Sequence, residues 1–271
     1  MATIGKEDAD KIAEAFTTAR RTATPLAAFP GPLPPTFSDA YAVQDAAIAR
    51  WPDRIAGWKI AAVAPAFRDR FTTPRLAGPA FSANIVKAAD GGAPARIRVF
   101  AGGFAAIEAE FIFRVGAPID ANDASQPDRL LEKIAALHAG AEVASSPFAG
   151  INELGPTSVI SDFGNNAGLL LGPEIPNWRS RAPDDMTSRA SVNGADVGEG
   201  HAGKVAGGPL SALSFLVSAL AERGRALGPG DLVSTGMTTG IHPIAPGDEI
   251  RLTFDDSTVL SAVVERAQPQ G

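Results

Sequence analysis

Residues 107–115 read IEAEFIFRV and give the clearest strand pattern in the chain. In an extended strand, successive side chains point to opposite faces. One face therefore carries the apolar residues Ile107, Ala109, Phe111, Phe113 and Val115. The opposite face carries Glu108, Glu110, Ile112 and Arg114. The pattern predicts a strand with one side in the core and two neighbouring carboxylates on the other side.

The pair Glu108 and Glu110 allows two interpretations. Two neighbouring carboxylates repel each other unless water or a cation screens them. The pair can belong to a solvated strand face, or it can bind a hard divalent cation such as Mg²⁺, which prefers carboxylate oxygens and keeps exchangeable waters. Glu142, in the segment GAEVASS, is a candidate for a third oxygen ligand, although alone it is an ordinary acidic residue.

Bulk composition excludes several classes of function. The 271 residues are 45% hydrophobic and 20% charged, which suffices for a buried core without disulfides or a structural metal. The net charge of -6 argues against nucleic acids and anionic membranes as partners. Cysteine is absent, so thiolate chemistry is excluded. The charged start MATIGKEDADKIAEAF lacks the apolar segment of a signal peptide, and we expect a soluble, cytoplasmic protein.

Periodicity outlines the elements. We predict helices over residues 8–20, 38–51 with Ser38 as the N-cap, 127–138 and 209–225. Strands are predicted around GWKIAAV, ARIRVF, DLVSTG, DEIRLTF and TVLSAVVE, with a hairpin over 188–200 that turns at Asn193-Gly194. Because strands and helices do not alternate regularly, we expect an α+β protein with a mostly antiparallel β-core. We divide it into an N-terminal helical region, 1–54, and a catalytic β-domain, 55–271.

Other polar residues give weaker signals. Lys59 lies in the apolar strand GWKIAA, where it either receives a substrate carboxylate or extends from the strand edge to solvent. Asp162, Asn165 and Asn166 form a polar turn before an apolar run, and such turns are common for local reasons. His138 is expected near a helix end. The roles of the other two histidines, His201 and His242, stay open.

Several motifs together carry a resemblance to a known family. They run in order as GWKIA from Gly57, GPAF from Gly78, IEAEF from Ile107, AEV from Ala141 and DFGNNAG from Asp162. The C-terminal block GGPLSALSFLVSALAERGRALGPGDLVSTG follows from Gly207, and PGDEIRLTF from Pro246. In combination they resemble the fumarylacetoacetate hydrolase superfamily, in its 2-keto-4-pentenoate hydratase and 4-oxalocrotonate decarboxylase branch. The resemblance covers roughly residue 37 to the C-terminus.

The resemblance implies a mixed β-sandwich-like roll of the fumarylacetoacetase C-terminal type. It implies Mg²⁺ or Mn²⁺ on three carboxylates, matched here by Glu108, Glu110 and Glu142. Lys59 and Glu142 would be catalytic, and Lys59, Asn165 and Asn166 would bind the substrate, a small 2-keto acid. Relatives form dimers and larger rings, so a homo-oligomer is expected.

The chain departs from the hydratase pattern at one informative place. Hydratase-type relatives usually carry an aspartate shortly before the GPAF glycine, where this chain has Arg75 and Leu76. We predict that Arg75 binds a second carboxylate of the substrate. The first functional prediction is hydration of a 2-hydroxypenta-2,4-dienoate-type substrate. The alternatives are decarboxylation of a 4-oxalocrotonate-type 2-keto diacid, C–C bond hydrolysis of an acylpyruvate, and a catalytically inactive binding member of the fold.

Overall fold

The structure is a computed structural model that describes residues 3–270, with five α-helices and thirteen strands in this part of the chain. The helices are α1 Lys6–Thr22, α2 Phe37–Arg50, α3 Pro127–Lys133, α4 Pro156–Ser161 and α5 Gly208–Ala221. The first strands are β1 Ile55–Ala62, β2 Arg75–Phe81, β3 Ile85–Lys87, β4 Ala95–Val99, β5 Phe104–Val115, β6 Ile134–Ser146 and β7 Asn166–Glu174. The remaining strands are β8 Thr187–Val192, β9 Ala195–His201, β10 Leu232–Ser234, β11 His242–Pro243, β12 Glu249–Phe254 and β13 Thr258–Arg266.

The strands form two sheets. The larger sheet has the order β2-β1-β10-β5-β6-β7-β3, and β11 pairs with β5 beside this path. The smaller sheet has the order β4-β13-β12-β8-β9. Most neighbours are antiparallel, whereas β1/β10, β3/β7 and β4/β13 are parallel. The predicted α+β class with a mostly antiparallel β-core is confirmed.

The main core lies between the two sheets. The apolar face of β5 is buried there as its alternation predicts, and the Phe111 ring meets the Phe254 ring of β12 edge to face at 5.4 Å. Helix α5 covers another side of this core with Leu213, Leu216 and Leu220. Burial of large aromatic and aliphatic side chains is the main stabilising term for such a packing. The other face of β5, which carries Glu108 and Glu110, therefore lies on the concave side of the larger sheet.

The larger sheet curls strongly, and glycines permit its closest approach. A Cβ atom on Gly78 of β2 would lie 2.1 Å from the carbonyl oxygen of Phe163, in the loop that leads into β7. No side chain fits in that space, so only glycine allows the backbone of β2 to meet this loop. Strands near opposite ends of the sheet are thus brought together around the concave face that carries Glu108 and Glu110.

The N-terminal helices pack on a second apolar cluster. Ile12 and Phe16 of α1 join Val43 of α2 there, together with Phe148 and Phe163 from the β-domain. Residues on both sides of the predicted boundary at 54/55 therefore share this core. The predicted helix 8–20 corresponds to α1 with two more residues at each end.

The start of α2 corrects the predicted N-cap. The cap is Thr36, whose hydroxyl accepts a hydrogen bond from the Asp39 backbone N–H at 3.1 Å, and Ser38 is already inside the helix. The helix also ends one residue before the predicted 51, at Arg50. Threonine and serine are both good N-caps, and the position of the accepted N–H decides between them.

The predicted helix over 127–138 is wrong in its second half. Helix α3 ends at Lys133, and β6 begins at Ile134. His138 therefore lies in a strand, with its Nδ1 atom 2.9 Å from the Gly172 carbonyl oxygen, and not at a helix end. The run IAALHAGAEV is apolar at both helical and strand spacing. The segment forms a strand because it pairs with β5 over its whole length.

The C-terminal half follows the sequence pattern closely. Strands β8 and β9 form the predicted hairpin, and Asn193 and Gly194 at its turn both have positive φ. Helix α5 ends at Ala221, four residues before the predicted end. Among residues 3–270, no helix combines the length and apolarity that crossing a membrane requires.

Candidate active site

Three buried glutamates meet on the concave face of the larger sheet. Glu108 and Glu110 alternate with core residues on β5, and Glu142 of β6 lies directly opposite Glu108 in the strand register. One carboxylate oxygen from each glutamate lies within 4.8 Å of the other two. Glu110 and Glu142 have no exposed surface, and Glu108 keeps only 7%. Glu142 thus comes from the middle of a strand and not from a segment after a helix.

The electrostatics of this triad favour a bound cation. Burial and the charge of Glu142 raise the pKa of Glu108 to about 8, although Lys59 acts against this shift. Burial and the two other carboxylates raise the pKa of Glu110 well above its usual value. Glu110 Oε1 and Glu142 Oε2 are buried without a hydrogen-bond partner. Unpartnered carboxylate oxygens that converge in this way are the donor set that Mg²⁺ or Mn²⁺ prefers.

The second oxygen of Glu110 is held in place by the segment that follows β10. The Ser234 hydroxyl donates to Glu110 Oε2 at 2.5 Å, and the Gly236 backbone N–H donates to the same oxygen at 2.8 Å. These contacts orient Glu110 so that its free oxygen faces the triad. Sequence reasoning missed Ser234, because no local pattern links it to a glutamate so distant in the chain. Its only signal is a polar residue at the end of the apolar strand DLVS.

Lys59 lies in the centre of β1 and is 3% exposed. Its Nζ atom is 3.1 Å from Glu142 Oε1. Burial acts to lower the pKa of Lys59, but the charges of Glu142 and Glu108 outweigh it, so the pKa is raised above its ordinary value. Lys59 is therefore a protonated, buried ammonium inside the site and does not extend to solvent.

Asn165 ends the loop before β7, and Asn166 is the first residue of β7. Asn166 Nδ2 donates to Glu142 Oε1 at 3.1 Å, so this oxygen contacts both the asparagine and Lys59. Asn165 is buried, and its Oδ1 atom has no partner. A Cβ on Gly164 would lie 2.9 Å from Lys59 Cε, so this glycine lets the loop pass close to the lysine.

A cavity of about 760 Å³ opens beside the triad. Its wall includes Lys59, Glu108 and Asn165, as well as the cations Arg68, Arg75 and Lys204. Ile60, Phe67 and Val205 are among the apolar residues of its wall, which suits a ligand with a short carbon chain. Sequence reasoning identified Arg75 but missed the other two cations, whose local sequence contains no motif.

Arg75 lies at the start of β2 and is half-buried. Its neighbour in the strand register is Ala62, three residues along β1 from Lys59. At about 3.3 Å per residue, roughly 10 Å of strand separates the two levels. The Arg75 guanidinium donates to the Ala206 carbonyl oxygen, and its Nη1 atom is 3.5 Å from Ser211 Oγ. The cavity therefore has one cation, Lys59, near the triad. The second cation, Arg75, begins roughly 10 Å further along the strands, a separation that a short molecule can span.

The three histidines lie outside this cavity lining in the described part of the chain. His138 contacts the Gly172 carbonyl oxygen in the sheet. His242 Nε2 is 3.1 Å from Thr239 Oγ1, and burial lowers the His242 pKa. His201 Nδ1 is 3.1 Å from a carboxylate oxygen of Asp184.

Comparisons with known proteins agree on one family. A family model described as fumarylacetoacetate (FAA) hydrolase C-terminal matches residues 71–265. The chain is 30% identical over 105 residues to 4-oxalocrotonate decarboxylase of Pseudomonas sp. (strain CF600). That alignment spans 39% of this chain and 40% of the relative, so it covers less than half the length of this relative.

Solved structures extend the likeness to almost the whole fold. The 4-oxalocrotonate decarboxylase from Pseudomonas putida G7, complexed with magnesium and adipate, superposes with a TM-score of 0.82 at 23% identity. The match covers 97% of this chain and 100% of that chain. Fumarylpyruvate hydrolase from Pseudomonas aeruginosa, in complex with Mn²⁺ and pyruvate, gives a TM-score of 0.56 at 18% identity and covers 80% and 91% of the two chains. The predicted fold type is confirmed.

Proposed function

The chain belongs to the fumarylacetoacetate hydrolase family, and from that premise we propose that it is a divalent-metal-dependent lyase acting on a small 2-keto acid. One observation carries the proposal: three buried glutamates converge with two unpartnered oxygens beside a single lysine, at the wall of a cavity. Buried charges are stable only when paired or bound to a cation. Burial beside one another raises the pKa of Glu108 and of Glu110, and a divalent cation would allow all three carboxyls to ionise beside the single ammonium.

The ligands proposed for this cation are Glu108, Glu110 and Glu142. Two family relatives support the choice of ion, since one is complexed with magnesium and another with Mn²⁺. Bound there, Mg²⁺ or Mn²⁺ supplies Lewis-acid polarisation of a 2-keto group that is chelated together with its neighbouring carboxylate.

Lys59 is the proposed catalytic partner of the triad. Its ammonium, oriented by Glu142, donates a hydrogen bond to the substrate oxygen that gains negative charge in the reaction. Asn166 fixes the same Glu142 oxygen, and the free amide oxygen of Asn165 is available to a substrate donor or a water molecule. Burial of Lys59 and Glu142 lowers the local dielectric constant and so strengthens these interactions.

The substrate that best suits the cavity is a 2-keto diacid of the 4-oxalocrotonate type. Arg75 is a guanidinium in the cavity wall with the planar geometry that matches a carboxylate, and Arg68 and Lys204 add positive charge to the same wall. This ranks decarboxylation above hydration, which reverses the order expected from the sequence. The identity to a curated 4-oxalocrotonate decarboxylase supports the same order.

The proposed reaction breaks the bond between the distal carboxylate and its neighbouring carbon, and carbon dioxide leaves. The electron pair of that bond passes through the carbon–carbon double bond to the 2-oxo oxygen. The product is the dienolate of a 2-keto acid one carbon shorter, which takes up one proton from water to become the dienol. Lys59 donates its hydrogen bond to the oxygen that receives this electron pair. Arg75 selects the diacid and releases its contact as the carboxylate loses its charge.

Ultraviolet absorbance tests the proposal directly. The protein is supplied with Mg²⁺ or Mn²⁺ and mixed separately with 4-oxalocrotonate and with 2-hydroxypenta-2,4-dienoate, while released carbon dioxide is measured in parallel. Metal-dependent consumption of the diacid with release of carbon dioxide is the expected result. Turnover of the monoacid alone, without carbon dioxide, would establish hydration instead. Metal binding without turnover of these substrates or of an acylpyruvate would indicate a binding protein.

We also keep the proposal that the chain forms a homo-oligomer, which rests on the family resemblance. Light scattering coupled to gel filtration gives the mass of the assembly. A mass of about 27.8 kDa, that of one chain, would contradict it.

A further inference from the structure

An arginine of the first helix is buried behind the candidate active site. Arg20 lies near the C-terminal end of α1 and is 4% exposed. It follows Ile12 and Phe16 at four-residue spacing on the buried face of the helix. A guanidinium at a position of an apolar stripe needs partners inside the protein. The four-residue spacing from Phe16 is the feature of the sequence that identifies Arg20 as a buried arginine.

Arg20 donates to four groups that the chain brings together around the site. Its Nε and Nη2 atoms bind both carboxylate oxygens of Asp162, with Nη2 at 2.9 Å from Oδ2. Its Nη1 atom donates to the Asn166 carbonyl oxygen at 2.9 Å. Its Nη2 atom also donates to the carbonyl oxygens of Ser145 and Asp162, at 3.1 and 3.2 Å. The guanidinium therefore joins the end of β6, the start of β7 and the loop between them.

The loop that it holds has an unfavourable backbone. Phe163, Gly164 and Asn165 have φ angles of 53°, 68° and 63° in succession. The left-handed region is costly for residues other than glycine, and most of all for a bulky one such as phenylalanine. Such a conformation persists only when its surroundings hold it. The Asp162 carbonyl oxygen accepts from the Asn165 N–H at 2.8 Å and from Arg20 Nη2, which fixes both ends of the turn.

A short chain of contacts connects this arginine to the triad. Arg20 binds the backbone of Asn166, and the Asn166 side chain donates to Glu142 Oε1. Arg20 makes no contact with Glu142 itself, and it is not among the residues that line the cavity. Its Asp162 partner is also fully buried, and the Phe100 and Phe163 rings lie 5.2 Å from the guanidinium carbon. The pair is thus shielded from water.

We infer that Arg20 is a positioning residue, which sets the affinity of the triad for its divalent cation by holding Asn166 against Glu142. The inference rests on the proposed function, because it assumes that the triad binds such a cation. It assigns to the N-terminal helix a role in the site of the β-domain. Groups that orient metal ligands through hydrogen bonds commonly change metal affinity by ten- to a hundredfold when they are replaced.

The test measures Mn²⁺ affinity by calorimetry in the absence of substrate. Arg20→Lys keeps the positive charge but cannot reach all four acceptors, because an ammonium lacks the planar fork of a guanidinium. We expect about tenfold weaker Mn²⁺ binding. Asp162→Asn keeps the size of the side chain and serves as the second variant, so a failure of Arg20→Lys to fold leaves the test intact. Circular dichroism selects a temperature at which each variant is folded.

A matched control separates positioning from stability. Arg181 forms a two-point pair with Asp255 in the turn between β12 and β13, and neither residue lines the cavity. Arg181→Lys should lower the melting temperature and leave the Mn²⁺ affinity unchanged. If Arg20→Lys and Asp162→Asn bind Mn²⁺ as tightly as the unmodified protein, the positioning role is refuted.

A double variant tests the route through Asn166. If Arg20 acts by holding Asn166, then Arg20→Lys/Asn166→Ala binds Mn²⁺ within about twofold of Asn166→Ala alone, since coupled residues are not additive. If the losses of Mn²⁺ affinity caused by the two single substitutions multiply in the double variant, the two residues act independently and the inference is overturned. A lack of Mn²⁺ binding by the unmodified protein is a different result, because it refutes the proposed function itself.

Discussion

The substitution Glu110→Gln should raise the stability of the metal-free protein and reduce the stability that the protein gains from bound metal. Glu110 Oε2 already accepts from Ser234 and Gly236, and a glutamine oxygen can keep both contacts. The amide nitrogen then takes the place of the unpartnered Oε1, next to the other two carboxylates. The pKa of Glu110 is raised, so its ionisation costs free energy, whereas the amide stays neutral and can donate a hydrogen bond to the other two carboxylates. The same donor cannot bind a cation.

The two effects have comparable magnitudes. Ionisation of one buried, unsatisfied carboxyl costs about 1–3 kcal/mol, so without metal the variant should be more stable by about that amount at a pH high enough to ionise Glu110, and about equally stable at a lower pH where Glu110 is protonated. Loss of one of three carboxylate ligands should weaken Mg²⁺ binding at least about tenfold, or roughly 1.4 kcal/mol. Ligand at a hundred times its Kd stabilises the unmodified protein by about 2.7 kcal/mol, and the variant should lose at least half of this gain.

Thermal melting with chelator and with saturating Mg²⁺ measures both effects, and calorimetry gives the affinity. The unmodified protein should gain several degrees on metal addition, at roughly 2–4 °C per kcal/mol, and the variant much less. Glu174→Gln, at an exposed glutamate of β7, is the control and should show the unmodified response. A variant that is less stable in chelator, or that gains as much from Mg²⁺ as the unmodified protein, would refute this account of the site.

Three further predictions test the catalytic lysine, the cavity and the core. Lys59→Met keeps the aliphatic length of the side chain without its charge; with saturating Mg²⁺, turnover should fall by about a hundredfold or more while the melting temperature changes little. Normal turnover with a large loss of stability would give Lys59 a structural role instead. Arg75→Ala should narrow the preference for diacid over monoacid substrates by about ten- to a hundredfold in kcat/KM, because a charge-assisted contact is worth roughly 1.5–3 kcal/mol; equal preference ratios in the two proteins would leave Arg75 without that role. Phe111→Ala, between the sheets and in contact with Phe254, should cost about 3–5 kcal/mol in urea unfolding. A cost below about 1 kcal/mol, typical of surface positions, would contradict the assignment of this core.

Local pattern accounts for the parts of the molecule that depend on one strand or one turn. The alternation in β5 placed Glu108 and Glu110 on a single face, because a strand has a period of two wherever it lies. The Asn193-Gly194 turn was equally predictable, since positive φ at both positions suits few other residue pairs. Neither feature requires knowledge of the rest of the chain.

The segment after α3 shows where local pattern fails. Its small and apolar residues satisfy the spacing of a buried helix as well as that of a buried strand. Only the partner strand β5 decides, because pairing along its length satisfies the backbone groups of β6. That decision places Glu142 opposite Glu108, so an error in secondary structure would also have misplaced a site residue.

By itself, the sequence determined the fold family, the mostly antiparallel core and the residue types of the site, all of which depend on periodicity and on motifs within short segments. The tertiary structure alone decided the contact between Lys59 and Glu142. Their strands are three steps apart in the larger sheet, and at about 4.8 Å per step a flat sheet would hold them about 14 Å apart. Curling of the sheet and the length of the two side chains close that distance, and the approach of Gly78 to Phe163 and the Arg20–Asp162 pair join segments far apart in the chain in the same region. Because curvature is a property of many strands together, no single stretch of residues encodes it.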